Sequence, residues 1–295
     1  PDTYRVEDST LNMKGKRLDP LKTEEFRLVL KSFDKGIFEI KPRIVYADET
    51  GCQMSCQPEP VTIKVSETVL PGRIATGYGD LDNLLLGGIP ESYSVVLTSP
   101  SCDERDLLIR RFLEMGAKKG EVTFYVTINA SGVRALAKKC QSNFYLFICN
   151  PRADEIIENL PNVVKLKGVE NLTEISIALT SALRKLDASP AGPRRSCIEI
   201  ISDVLLQHHV VSTRRWLTSI IPELRSKGFT TLFIVNPQMH PQQEVQAIPD
   251  LFEGEINIYE RGTEKDSEKF LRIKKMYNER YLETELPLRK KRLER

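Results

Sequence analysis

From about residue 70 onward, short apolar runs alternate with amphipathic stretches, and this alternation constrains the fold more than any other feature of the chain. Tyr93–Thr98, Val122–Thr127, Phe144–Cys149, Val163–Leu166, Cys197–Ile201 and Thr230–Val235 read as short buried strands. Helical periodicity runs over Asp106–Gly116, Val133–Lys139, Leu172–Leu186 and Val211–Ser226. Parallel strands need a crossover of helix length between them, and a parallel sheet must be covered on both faces. The predicted class is therefore α/β, a mostly parallel sheet with helices on both sides. Gly116 and Gly228 are expected to close two of the helices, and Asn171 or Thr173 to cap a third. Strands at Glu255–Tyr259 and Phe270–Lys274 are expected to end the sheet in an antiparallel pair.

The first 68 residues have a different period. Glu25–Leu30, Phe33–Tyr46 and Pro60–Val65 mix strand formers, with Pro42 at an edge or bend and Asp48–Gly51 as a turn. They suggest a small β-rich accessory segment, part of a sandwich, with no catalytic constellation. The domain plan is thus 1–68, an α/β domain over 69–282, and a basic tail over 283–295 whose Arg289-Lys-Lys-Arg292 reads as a solvated terminus.

Bulk charge excludes little beyond strongly polyionic partners: 43 Lys and Arg stand against 41 Asp and Glu, a net charge of +2. No run approaches the roughly 20 apolar residues of a membrane span, and the cytoplasm is the expected location. Of the six cysteines only Cys52 and Cys56 lie close together, and no second Cys or His pair follows at zinc-ligand spacing. Cys140, Cys149 and Cys197 read as buried reduced thiols.

Two segments make the order recognisable. Thr76-Gly-Tyr-Gly-Asp-Leu-Asp-Asn-Leu-Leu-Leu-Gly-Gly-Ile-Pro90 resembles the KaiC-like branch of the RecA superfamily, whose members read approximately T-G-x-x-x-L-D-x-L-L-x-G-G-I-P before the first core strand. Leu251-Phe-Glu-Gly-Glu-Ile-Asn-Ile258 and Leu271-Arg-Ile-Lys-Lys275 are similar to the last strands of that family. The resemblance covers about residues 70–280 and implies a RecA-like, P-loop-type fold.

It also implies that Ser99-Pro-Ser-Cys-Asp-Glu-Arg-Asp106 stands at the phosphate-binding loop, G-x-x-x-x-G-K-[ST]. That loop uses glycines to wrap backbone N–H groups around phosphates, a Lys for the β and γ oxygens, and a hydroxyl for Mg²⁺. Here Ser99 replaces the first Gly, Glu104 the later Gly, Arg105 the Lys and Asp106 the hydroxyl residue. Asp103, Glu104 and Asp106 would each repel a phosphate oxygen, by about 1–4 kcal/mol per pair at ~4 Å. The carboxylate pair implied after the second core strand is replaced by Asn129 and Ala130, and the Mg²⁺-orienting Asp implied near Ile201 has Asp203 as its nearest candidate. The expectation is a pseudo-ATPase with no catalytic residue, no metal and no cofactor. Ser99, Ser101, Arg105, Asp106 and Asp203 form what is left of the nucleotide site.

Other candidates were weighed against simpler readings. His208, His209 and His240 are the only histidines, and adjacent His208 and His209 point apart, so a metal site finds too few ligands. Asn236-Pro-Gln-Met-His-Pro241 follows a strand at its carboxyl end, where α/β folds bind ligands; Asn236, Gln238 and His240 are the candidates for a partner or ligand loop. Arg214-Arg215-Trp216 fits an interface or, for Trp216, the core. Neither a basic–aromatic stripe nor a helix-turn-helix pattern supports nucleic-acid binding. The expected role is regulatory or scaffolding, through a protein partner or a homo-oligomer. The alternatives are an ATPase in which Arg105 serves for Lys and Mg-ATP is the cofactor, and a nucleic-acid-associated RecA paralogue.

Overall fold

The structure, a computed structural model, describes residues 4–6, 30–32, 36–47, 50–65, 69–186, 192–263 and 266–293. The chain divides into two compact units, Pro1–Thr68 and Val69–Arg295. In the first, β1 (Tyr4–Val6) pairs with β2 (Leu30–Ser32), β3 (Gly36–Ile40) with β6 (Val61–Val65), and β4 (Ile44–Ala47) with β5 (Gln53–Cys56), all antiparallel. Lys41-Pro-Arg43 separates β3 from β4, in keeping with Pro42 as a bend. These are three two-stranded ribbons; the described residues do not join them into a sandwich. None of the side chains described here is buried. The expected strand over 25–29 and the Asp48–Glu49 half of the turn lie outside the described residues. Cys52 and Cys56 are both exposed.

The second unit begins with β7 (Arg73–Ile74), α1 (Gly79–Leu84) and β8 (Ile89–Pro90), where the T-G…L-D…G-G-I-P residues have mechanical roles. Asp82 accepts from both the backbone N–H (2.6 Å) and the hydroxyl (2.7 Å) of Thr76. Gly77 (φ +84) lets the chain pass so near the next helix that a Cβ would sit 2.7 Å from the Arg111 carbonyl. Gly88 (φ +128) leaves no space for a Cβ against the backbone of Ile74.

There follow β9 (Ser94–Thr98), α2 (Asp103–Lys118), β10 (Val122–Thr127), α3 (Arg134–Lys139), β11 (Phe144–Cys149), α4 (Ala153–Ile156), β12 (Val163–Leu166), α5 (Leu172–Leu186), β13 (Arg194–Ile198), α6 (Ile201–Ser226), β14 (Phe229–Val235), α7 (Gln242–Gln246), β15 (Gly254–Thr263), β16 (Asp266–Met276), β17 (Leu286–Leu288) and α8 (Lys290–Leu293). The sheet order is β12-β11-β10-β13-β14-β9-β15-β16-β17, parallel through β15 and antiparallel beyond it. Alternate strand residues feed two cores. Val95, Leu97 and Tyr125 join α2, α3 and α8 on one face, while Val96, Phe124 and Val126 join α5 and α6 on the other. Among the described residues no helix is long and apolar enough to cross a membrane.

Several expected boundaries move, each for a physical reason. Helix α2 starts at Asp103, three residues early, because Asp103, Glu104 and Asp106 suit the positive end of a helix. It also runs through Gly116, which is interior rather than a terminator. A Cβ at position 116 would lie within 2.5 Å of Arg195 Nε and Thr123 Oγ1, so glycine is there for a packed guanidinium. Strand β13 ends at Ile198, and α6 takes up the chain from Ile201, ten residues ahead of the expected start. The expected helix start near Val211 coincides with a break at His209 (φ 55, ψ 171) inside α6. Asn171 caps α5, accepting from the N–H of Glu174 (3.1 Å). The described part of the expected tail, 283–293, is not solvated: β17 pairs with β16, Leu288 and Leu293 are buried, and Arg111 Nε donates to the Leu293 carbonyl (2.9 Å).

Candidate functional site

Because β9, β10, β13 and β14 are parallel neighbours, the loops at their carboxyl ends meet at one edge of the sheet, where open α/β folds bind ligands. There the Ser99–Cys102 turn and the first turn of α2 face Asn129 after β10, Glu199 after β13 and Asn236 after β14. They enclose two adjoining hollows that share Arg105, Asn129 and Glu199.

No residue of 99–106 is glycine and none has a positive φ. Ser99 is buried, and its hydroxyl turns back to the Pro100 carbonyl (2.8 Å). Ser101 Oγ accepts from Asn236 Nδ2 (3.0 Å) and from Arg105 Nη1 (3.3 Å). The three acids of the α2 first turn are each matched by a cation of the same chain. Lys290 donates to Asp103 (2.6 Å), Lys269 to Glu104 (2.8 Å), and Arg105 to Asp106 through both Nε (2.8 Å) and Nη2 (2.7 Å). The Lys290 contact holds the Asp103 carboxyl below its ordinary range, and the Glu104 bond raises the Lys269 ammonium.

The carboxylate at the end of β13 is Glu199, not Asp203. Glu199 Oε2 accepts from the hydroxyls of Tyr125 and Thr127, the latter at 2.8 Å. Burial, and then the Glu199 charge, push the Tyr125 phenol well above its usual value. Asp203 lies in the first turn of α6 and lines the same hollow; burial first, and the Glu199 charge, raise its carboxyl. The sequence pattern does not bring Glu199, Tyr125 and Thr127 forward, because Cys197–Ile201 reads as one strand. The signal was present: a single acid interrupting Ile198-Glu-Ile-Ile201 is out of place in a strand buried on both faces.

Thus Ser101, Arg105, Asp203 and Asn236 come together, Asp106 lies on the outer rim, and Ser99 is buried behind them. Asn236 is a brace: its N–H donates to Ser202 Oγ (2.9 Å) and its Oδ1 accepts from the Gln238 N–H (3.0 Å). Gln238 and His240 line neither hollow, and burial lowers the His240 pKa. His208 Nε2 bonds the Val169 carbonyl (2.7 Å), and Trp216 is core, its Nε1 donating to Ser176 Oγ (3.1 Å). Among the described residues no three His, Cys, Asp or Glu side chains converge as a metal site.

A mostly parallel, two-faced sheet with its cleft at the turn after β9 defines an α/β protein of RecA-like fold. Residues 74–289 match the family described as "ATPase: KaiC", and the chain belongs to that family. Among solved structures it is similar to the KaiC-like protein PH0186 from the hyperthermophilic archaeon Pyrococcus horikoshii OT3, with a TM-score of 0.52 and 19% identity over 74% of this chain and 94% of that one. At that identity the likeness shows the fold alone. No curated protein matches.

Proposed function

We propose that this chain is a KaiC-family protein that does not hydrolyse ATP and works as a regulatory or scaffolding module through protein–protein contacts, with no cofactor. The observation that carries the reading is the first turn of α2. A triphosphate there needs free backbone N–H groups, a cation and a metal-binding hydroxyl. Instead the turn offers Asp103, Glu104 and Asp106, already paired with Lys290, Lys269 and Arg105. Its loop lacks the glycines that allow close backbone approach. Asn129 and Ala130 supply no general base at the end of β10, and Glu199 is engaged by two hydroxyls.

Calorimetric titration with ATP, with and without Mg²⁺, and an assay of phosphate release test this reading. The expected outcome is no binding in the micromolar range and no turnover. Micromolar ATP binding that disappears in Arg105→Ala would overturn it and favour the second reading, an ATPase with an unorthodox loop. That alternative has one observation on its side: Arg105 and Glu199 face the same cleft.

A further inference from the structure

We propose that the cleft between Glu199 and Asp203 receives a basic side chain, an arginine or lysine, from a partner protein. The inference rests on the reading of this cleft as a protein-contact site and names the chemistry of the contact.

Charge bookkeeping at this edge of the sheet is uneven. Each acid on the first turn of α2 has a cation of its own, yet Glu199 and Asp203, both partly buried, form no ion pair among the described residues. Glu199 also borders the adjoining hollow, which Arg105, Arg110 and Lys290 line, but the hollow it shares with Asp203 holds Arg105 alone, already committed to Asp106 and Ser101. Two carboxylates sharing a hollow of reduced dielectric, with its single cation engaged elsewhere, attract a further cation more strongly than the same pair in water. The upward displacement of the Asp203 carboxyl by burial and by Glu199 agrees with that imbalance.

The neutral oxygens around them argue against a metal ion as that cation. Ser101 Oγ, Ser202 Oγ, Asn129 Oδ1 and Asn236 Oδ1 already accept hydrogen bonds from Asn236 Nδ2 and Arg105, Asn236 N, Ser131 N and Gln238 N. Two carboxylates fall short of the roughly six to eight oxygens that Ca²⁺ takes, and a Mg²⁺ here would keep most of its water rather than bind to the protein's own oxygens. An organic cation needs fewer partners, and its hydrocarbon stem needs an apolar wall. The hollow has one: Ile128 and Met239 line it while 37% and 40% exposed, and Leu206, one turn beyond Asp203, is 55% exposed. An acidic floor with an exposed aliphatic rim fits a basic residue presented on a polypeptide, with methionine accommodating the stem.

The probe is a blocked pentapeptide with a central arginine, titrated into the whole chain carrying methyl-labelled methionine. The Met239 resonance is assigned through Met239→Leu. The expected result is a saturable shift of the Met239 methyl, absent when citrulline replaces arginine. Glu199→Gln and Asp203→Asn each weaken binding by about tenfold or more while the other methionine methyls keep their positions. Agmatine, a guanidinium without a peptide, binds at least about tenfold more weakly because it lacks the contacts to the rim. The proposal is overturned by no saturable shift up to about 10 mM peptide, an affinity too weak to anchor a partner. Equal binding of the citrulline peptide, or undiminished binding in both variants, also overturns it. Agmatine binding as tightly as the peptide removes the protein partner. ATP titrated into the same samples separates this failure from that of the non-hydrolysing reading, which only nucleotide binding or turnover contradicts.

Discussion

Four residues apart on one stretch of chain, Arg195 and Glu199 hold charge under opposite conditions. Arg195, on β13, is fully buried and ion-paired with Glu121, and of its three nitrogens Nη2 alone finds no hydrogen-bond acceptor. Its Nε donates to Glu121 (2.6 Å), its Nη1 to the carbonyls of Phe112 (2.8 Å) and Ala75 (3.0 Å), and its guanidinium lies 4.8 Å from the Phe112 ring centroid. Glu199, just past the strand's carboxyl end, is half-buried and meets hydroxyls alone, with Asp203 beside it. The first arrangement ties β13, α2 and the segment before α1 together, so its task ends within the fold. The second is left open at the edge where loops converge. Buried charge is therefore closed within the fold at Arg195 and left facing the cleft at Glu199.

The comparison breaks most visibly at its closed end. Arg195→Met leaves Glu121 buried without a partner and two carbonyls unsatisfied, and is expected to lower stability by about 3–5 kcal/mol in urea unfolding. Adding Glu121→Leu should restore much of that loss, since the pair's removal as a unit is far less costly than halving it. A loss under about 1 kcal/mol for Arg195→Met would show that water reaches the site and that the two ends of β13 differ little. Gly116→Ala tests the same cluster through space alone. A Cβ there crowds Arg195 and Thr123, so about 1–3 kcal/mol should be lost despite alanine's better helix propensity. An unchanged or raised unfolding midpoint would mean that the guanidinium yields freely.

At the open end the expected effect is smaller and depends on pH. Burial and Glu199 raise the Asp203 carboxyl, and Arg105 is the positive group that lines the same hollow. The native state therefore holds that proton more tightly than the unfolded chain, whose aspartates titrate near 3.8. Stability contributed at this position is present below the unfolded value and falls as pH rises from there through the raised native value. Asp203→Asn removes this fall. The difference between wild type and variant should decline across that window, by less than about 1 kcal/mol because water screens a partly exposed group. Denaturation midpoints taken at several pH values check this, and a difference that grows with pH would place an unseen cation beside Asp203.

How much of this was legible beforehand differs by region. Strand periodicity located β9, β10, β11, β12 and β14 to within a residue, because residues buried on both faces of a parallel sheet leave uninterrupted apolar runs. The T-G…L-D…G-G-I-P segment identified the family, although its residues prove to serve turns and close approaches rather than chemistry. The N-terminal ribbons were harder to read. With none of their described side chains buried, their alternation has no core to register against, and β5 escaped notice.

The amino-acid order alone determined the alternation of strands and helices, the family and the acidic character of the turn after β9, since these are properties of residues taken in sequence. Which cation answers which acid was decided only in three dimensions. Lys269 and Lys290 reach Glu104 and Asp103 from more than 160 residues along the chain. Glu121 meets Arg195 across 74 residues, and Glu199 is left with hydroxyls. The physical reason is that Coulomb interactions and desolvation depend on distance and burial in space, and neither quantity is written in a local pattern.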